Sequence, residues 1–259
     1  MGFKIRTWNV LEKYTEEPGV TEVTIPDDVT EIGYGAFDGH TLLEKINLPP
    51  NLKIIQAGAF QECTSLEHMT LPEGLERIEG SAFFATNIKE IEIPESVKHI
   101  GSCAFGSPTY DFEWITLNFH KNQKKTRIMI EMLWLGYTPE LRILDFFDHP
   151  CYENFSLLEP NYKIQIAVSY YDTDEAIKNY LKRSIKRAVT LAIHRNDMEL
   201  LADLLHTGFI TKKNIDSMIQ YAIEHTQNGG NPEFQVMLTD YKYQHFPSDA
   251  SQITKKLKL

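Results

Sequence analysis

Nine histidines, three cysteines and the aspartates at 145 and 148 are the first candidates for metal binding or catalysis in this 259-residue chain. Their spacing argues against both roles. His194 and His206 stand twelve positions apart, whereas two ligands on one helix face need a separation of three or four. Cys63, Cys103 and Cys151 contain no C-x-x-C pair and, being three, cannot all be bridged; they read as buried apolar thiols. Asp145 and Asp148 flank Phe146-Phe147 and could serve as paired acid and base, but capping a helix or starting a turn is the favoured reading. The G-x-G-x-x-G, G-x-x-x-x-G-K-[ST], H-E-x-x-H and G-x-S-x-G motifs are absent, as is an acidic EF-hand loop. The expectation is a chain with no catalytic, cofactor-binding or metal-binding residue.

At 42% hydrophobic and 24% charged, the composition is that of ordinary soluble globular proteins. No apolar run reaches the roughly 18–20 residues that cross a bilayer. Lys4 and Arg6 fall where a signal peptide needs an apolar stretch, and Arg6 also stands where a myristoylation motif wants Ser or Thr, so the expected location is cytoplasmic. The net charge of −10 is uneven: residues 1–117 hold 8 Lys/Arg against 19 Asp/Glu, a balance of −11, while residues 118–259 are near neutral. An acidic front half repels phosphate backbones. The expected partner is therefore a protein or peptide with a basic fringe, with neither nucleic acid nor membrane involved.

Stepping through residues 20–118 exposes a repeat. Prolines at 26, 49, 72 and 94 are 23, 23 and 22 residues apart, and Ala36-Phe37, Ala59-Phe60, Ala82-Phe83 and Ala104-Phe105 keep the same intervals. Between them lie Val29 and Ile32, Leu52 and Ile55, Leu75 and Ile78, Val97 and Ile100. Ahead of each proline is an L-x-x-I-x-L phase: Val20-Val23-Ile25, Leu43-Ile46-Leu48, Leu66-Met69-Leu71, Ile88-Ile91-Ile93, and a last copy, Phe112-Ile115-Leu117, with Asn118 in place of proline. The I-x-L alternation puts two side chains on one face of a short strand, and the following proline removes a backbone donor and ends it. One such coil buries too little to fold alone, so the coils must stack. The expected fold class is α/β: a leucine-rich-repeat solenoid of short parallel strands, followed by an all-α region.

The pattern Ile-Pro-x-x-Val-x-x-Ile-x-x-x-Ala-Phe resembles the BspA-like (Treponema pallidum-type) leucine-rich repeats, most closely at Phe60-Gln61-Glu62-Cys63-Thr64-Ser65-Leu66. That resemblance implies a binding protein without catalysis, either an intracellular interaction module or a surface adhesin.

Around the solenoid, residues 1–19 read as a capping hairpin and 119–161 as a transition or cap segment, with a strand favoured over 127–134. Residues 162–246 read as helical. Thr173-Asp174-Glu175 starts one helix, Asn196-Asp197 caps a second that Gly208 ends, Thr211 to Asn214 starts a third, and Pro232 opens a fourth. The stretch Ala192-Ile193-His194-Arg195-Asn196-Asp197-Met198-Glu199-Leu200-Leu201 resembles ankyrin-type helical pairs, although the Thr-Pro-Leu-His signature is missing. Residues 247–259 read as a disordered tail.

The remaining candidate site is the outward side of the strands. Two rows of side chains stack along it: Glu22, Lys45, His68, Glu90 and Trp114, and beside them Thr24, Asn47, Thr70, Glu92 and Thr116. Five rungs about 4.8 Å apart span roughly 19 Å. Ten residues are fewer than the 20–30 per side of a standard protein interface. The face therefore suits a peptide-sized target, or shares the task with the helical region. Glu90 with Glu92 is the expected patch for a basic group, and Trp114 is expected to be covered by the following cap. A rival expectation is an enzyme with an unrecognised centre in residues 119–165.

Overall fold

A computed structural model describes residues 2–15, 18–106, 114–131 and 143–247. The chain divides into two compact units, Met1–Tyr162 and Lys163–Leu259.

The first unit is a β-solenoid. It opens with an antiparallel hairpin of β1 (Gly2–Arg6) and β2 (Val10–Thr15). Each coil then contributes two short extended segments, one of which in the third coil is a single bridge. The I-x-L phase forms β3 (Glu22–Thr24) and β5 (Lys45–Asn47), which pair in parallel, and a single bridge from Lys45 adds His68. The Val-x-x-Ile phase forms β4 (Glu31–Ile32), β6 (Ile54–Ile55), β7 (Arg77–Ile78) and, after β8 (Glu90–Ile93), β9 (His99–Ile100). This second phase makes the longer sheet, ordered β1-β2-β4-β6-β7-β9. Sequence periodicity marks it only as an inward edge. Backbone hydrogen bonds at each coil turn it into a ladder, as in Gln56 N–H to Ile32 O (2.9 Å), Glu79 N–H to Ile55 O (2.9 Å) and Gly101 N–H to Ile78 O (2.8 Å).

The Ala-Phe turns form the third side. Phe37, Phe60 and Phe83 each donate their N–H to the alanine carbonyl of the next coil, at 2.7–2.8 Å. Tyr14, Phe37, Phe60, Phe83 and Phe105 stack as an aromatic spine, with ring centroids 5.1–5.3 Å apart. Tyr14 comes from β2, so the hairpin joins the solenoid through both a strand pair with β4 and the first ring of the spine. To enter each Ala-Phe turn the backbone passes through the left-handed region at Gly35, Gly58, Ser81 and Cys103, with φ of 57°, 64°, 56° and 56°. Two coils meet that demand with glycine, and two carry the cost of a side chain there.

β10 (Trp114–Lys121) pairs in parallel with β8 and in antiparallel with β11 (Lys124–Glu131). Its register corrects the expected last coil. Leu117 lies opposite Ile91 and Phe119 opposite Ile93, so the strand is shifted by two residues from the alignment that ended it at Asn118. A shift of two preserves which side chains face the core, so alternation by itself could not tell the registers apart. Without a proline, the strand runs on and buries Phe119. Lys121 closes this end: its buried ammonium donates to the carbonyls of Glu95 and Val97.

Two short helices follow, α1 (Ile143–Asp148) and α2 (Tyr152–Ser156). Phe146, Phe147 and Phe155 are buried and pack edge to face, with Phe119 against Phe147 at 5.2 Å. α3 (Pro160–Tyr170) leads into the second unit, which contains α4 (Glu175–His194), α5 (Met198–His206), α6 (Ile215–Gln227) and α7 (Glu233–His245). The Asp174 carboxylate accepts from the N–H groups of Ala176 and Ile177, and that of Asp197 from Leu200, which fixes the starts of α4 and α5. Gly208 and Gly229 take left-handed φ after α5 and α6. α4 packs on α5 and α6, and α7 on α6 and α5, so two helical hairpins lie side by side. Met132–Trp134 of the expected strand, the remainder of 132–142 and the tail from residue 248 lie outside the described residues.

Three substitutions test this construction. Phe60 is fully buried within the spine, and Phe60→Ala should cost about 3–5 kcal/mol in denaturant unfolding. A loss under about 1 kcal/mol would contradict the stacking. Gly58→Ala should cost about 1 kcal/mol through its left-handed φ, whereas Ser81→Gly at the equivalent turn should leave stability equal or higher.

Candidate functional site

The solvent face of the I-x-L strands is polar because every second residue of a strand turns away from the core. Glu22, Thr24, Lys45, His68, Thr70, Glu90 and Glu92 are exposed, and Asn47 is half-buried. β3 and β5 set Glu22 beside Lys45 and Thr24 beside Asn47, and the bridge sets Lys45 beside His68. The last rung differs from the expected one. Thr116, not Trp114, lies beside Glu90, and Asn118, not Thr116, lies beside Glu92. Trp114 pairs with Glu131 and is half-buried. Thr116 and Asn118 are 8% and 0% exposed, so the accessible rows end at Glu90 and Glu92.

Much of the charge on these rows is already partnered within the chain. Lys45 Nζ lies 2.6 Å from Glu22 Oε1, and Asn47 Nδ2 donates to Glu22 Oε1 (2.9 Å) and Thr24 Oγ1 (3.1 Å). The hydrogen bond from Lys45, reinforced by Asn47 and by the Lys45 charge, holds the Glu22 carboxyl below its usual range. At the other end, Asn118 Nδ2 donates to the carboxylates of both Glu90 (2.5 Å) and Glu92 (3.0 Å). His120 Nε2 lies 2.6 Å from Glu92 Oε2, and Lys125 Nζ lies 3.4 Å from Glu92 Oε1. Both carboxylates therefore have partners within the chain, Asn118 for Glu90 and Asn118, His120 and Lys125 for Glu92. Asn118, His120 and Lys125 were the residues sequence reasoning missed. Their signal was present: the polar alternation of Asn118 and His120 continues past the expected strand end, and Asn122-Gln123 turns the chain back to bring Lys125 alongside.

Desolvation is the largest influence on Glu92 and raises its carboxyl, yet the His120 hydrogen bond and the Lys125 charge together hold it below the usual range. A carboxyl depressed in the fold stabilises above its unfolded pKa and loses that contribution as pH falls through the folded value. Glu92 should accordingly titrate below the ordinary glutamate range in a carboxyl-detected NMR titration. In His120→Ala it should move upward, and an unmoved Glu92 would break the assignment of this pair.

What stays open lies in the middle of the rows. A concavity of about 370 Å³ is lined by Lys45, Asn47, His68 and Thr70, with Leu48, Pro50, Met69 and Pro72 forming its apolar corner. A second, more polar one of about 820 Å³ lies at the β10–β11 turn, lined by Glu95, His120, Asn122, Gln123, Lys124 and Lys125. His120 and Lys125 are drawn to Glu92 there, and Asn122 Nδ2 donates to Phe147 O at 2.7 Å.

The other chemistry-bearing residues stay apart. Asp145 and Asp148 are exposed on α1, on the side away from its buried phenylalanines. His194 ends α4, and His206 Nδ1 contacts Ala202 O (2.7 Å) in the last turn of α5. Cys63 and Cys103 are buried, Cys151 is half-buried, and none of the three forms a disulfide. Among the described residues no group of three His, Cys, Asp or Glu side chains could hold a metal ion. Nor, among them, is any helix long and apolar enough to cross a membrane.

Residues 13–122 match the BspA type leucine rich repeat region, in six copies. The match runs past the four full coils at both ends, into β2 and beyond β10. Among solved structures, this chain is similar to a leucine-rich repeat protein from Bacteroides ovatus at 44% identity, covering 34% of this chain and 23% of that one, with a TM-score of 0.33. It is also similar to the pneumococcal vaccine antigen PcpA (27% identity; 40% and 26% covered; TM-score 0.38). The Treponema pallidum leucine-rich repeat protein is a third (25% identity; 40% and 63%; TM-score 0.33). The chain thus spans less than two thirds of each of these proteins. No curated protein matches it.

Proposed function

We propose that the chain is a non-catalytic interaction module whose BspA-type segment presents its central rungs to a peptide-sized stretch of a protein partner. The observation that carries this reading is the contrast along the rows. Glu22, Lys45 and Asn47 at one end and Glu90 and Glu92 at the other are internally partnered, whereas His68 and Thr70 line an open concavity beside apolar Leu48, Met69 and the corner prolines. A polar rim around a small apolar floor suits an extended peptide, which offers backbone donors and acceptors together with alternate side chains.

The helical unit is read as an ankyrin-like pair of hairpins. The side-by-side packing of α4/α5 and α6/α7 supports that, as do the turn residues Asn196-Asp197 and Gly229-Gly230. In this reading it is a second contact surface, which the short span of the rows leaves room for.

The test is selection of peptides from a displayed random library on the intact chain, followed by affinity measurement. His68→Glu with Thr70→Glu should weaken the selected peptides at least tenfold without changing the unfolding midpoint. Equal reversal at the paired end, Glu90→Lys with Glu92→Lys, should affect them less. Peptides that bind both double variants as they bind the parent would remove the central rungs from the account.

A further inference from the structure

The second unit carries a patch that none of this uses. On α4, Lys182, Arg183, Lys186 and Arg187 are all exposed and occupy positions i, i+1, i+4 and i+5, one face of the helix. Among the described residues none of the four has a carboxylate within ion-pairing distance. Arg183 Nε donates to the Asn179 carbonyl (3.1 Å), and Lys182 Nζ lies 5.3 Å from the centroid of the Phe209 ring. Lys178, one turn before, is the cation on this side that does find an acid, Glu175. The pairs Lys182/Lys186 and Arg183/Arg187 are like charges four apart, which oppose helix formation. They also lie mid-helix, where the macrodipole does nothing to offset them. The stripe is an electrostatic liability to the chain by itself.

The solenoid carries the opposite liability. The residues following its corner prolines are Asp27 and Asp28 in the first coil, Glu73 in the third and Glu95 in the fourth, all exposed. Among the described residues none of these carboxylates is in an ion pair. Successive coils about 4.8 Å apart make this a row of roughly 14 Å. The basic stripe rises about 7.5 Å between Lys182 and Arg187, and its long side chains extend its reach to a similar length.

We propose that the α4 stripe docks the acidic corner of a second copy of this chain. Charge complementarity selects that occupant. The acidic corner is a surface of the required sign and extent. The contact is between unlike surfaces, so it builds either a closed pair through two reciprocal contacts or an open chain.

Sedimentation velocity across a concentration series tests it. The full chain should associate at about 20 mM salt and fall to monomer at about 500 mM, as surface charges become screened. Arg183→Glu with Arg187→Glu should abolish association, as should Asp28→Lys with Glu73→Lys, with circular dichroism confirming that each variant is folded. Mixed together, the two variants should associate again, because the reversed stripe of one now meets the reversed corner of the other. A parent chain that stays monomeric at low salt would overturn the proposal. So would a mixture that fails to associate, or a basic stripe that binds a nucleic acid while the parent remains monomeric.

Discussion

A coil of about 23 residues with six or seven apolar side chains cannot hold itself together, and everything else in the first unit follows from that constraint. Each coil has to offer its neighbours a face on every side. The I-x-L strands, the Val-x-x-Ile strands and the Ala-Phe turns supply three, and the stacked rings of Tyr14, Phe37, Phe60, Phe83 and Phe105 run the length of the core. Turn hydrogen bonds satisfy part of the backbone within each coil, but the strands and the Phe N–H groups depend on the neighbouring coil, so the array extends only while the pattern holds.

The same constraint makes the ends expensive to leave bare. At one end the hairpin contributes a strand and a ring, converting a non-repetitive segment into the first layer. At the other, the absence of a proline lets β10 run to Lys121, pair with β11 and bury Phe119, while Lys121 satisfies the last corner carbonyls. Closing that end also spends the polar residues that follow. Asn118, His120 and Lys125 fold back on Glu90 and Glu92, so the most acidic rungs of the outer face become part of the closure. The accessible face thereby shrinks toward its centre, around His68 and Thr70.

The electrostatics divide along similar lines. Glu22 and Glu92 have partners along the strand ladders that hold their carboxyls below the usual range. The corner acids, and Lys182, Arg183, Lys186 and Arg187 of α4, have no ion-pair partner among the described residues. These unsatisfied sets lie on different units and carry opposite signs.

The period, the corner prolines and the Ala-Phe pairs determined the solenoid, because four repetitions of a pattern admit one stacked solution. Asp174, Asp197, Gly208 and Pro232 likewise marked helix ends, since caps act over a few neighbouring residues. Sequence also determined that no familiar catalytic or metal-binding motif occurs. Tertiary structure alone decided the register of β10, because a two-residue shift leaves the apolar alternation unchanged and only pairing with β8 and β11 distinguishes the choices. It alone decided that Thr116 is buried and that Glu90 and Glu92 are paired. Those outcomes depend on which side chains from 25 to 35 residues away arrive alongside, and no local pattern records that distance.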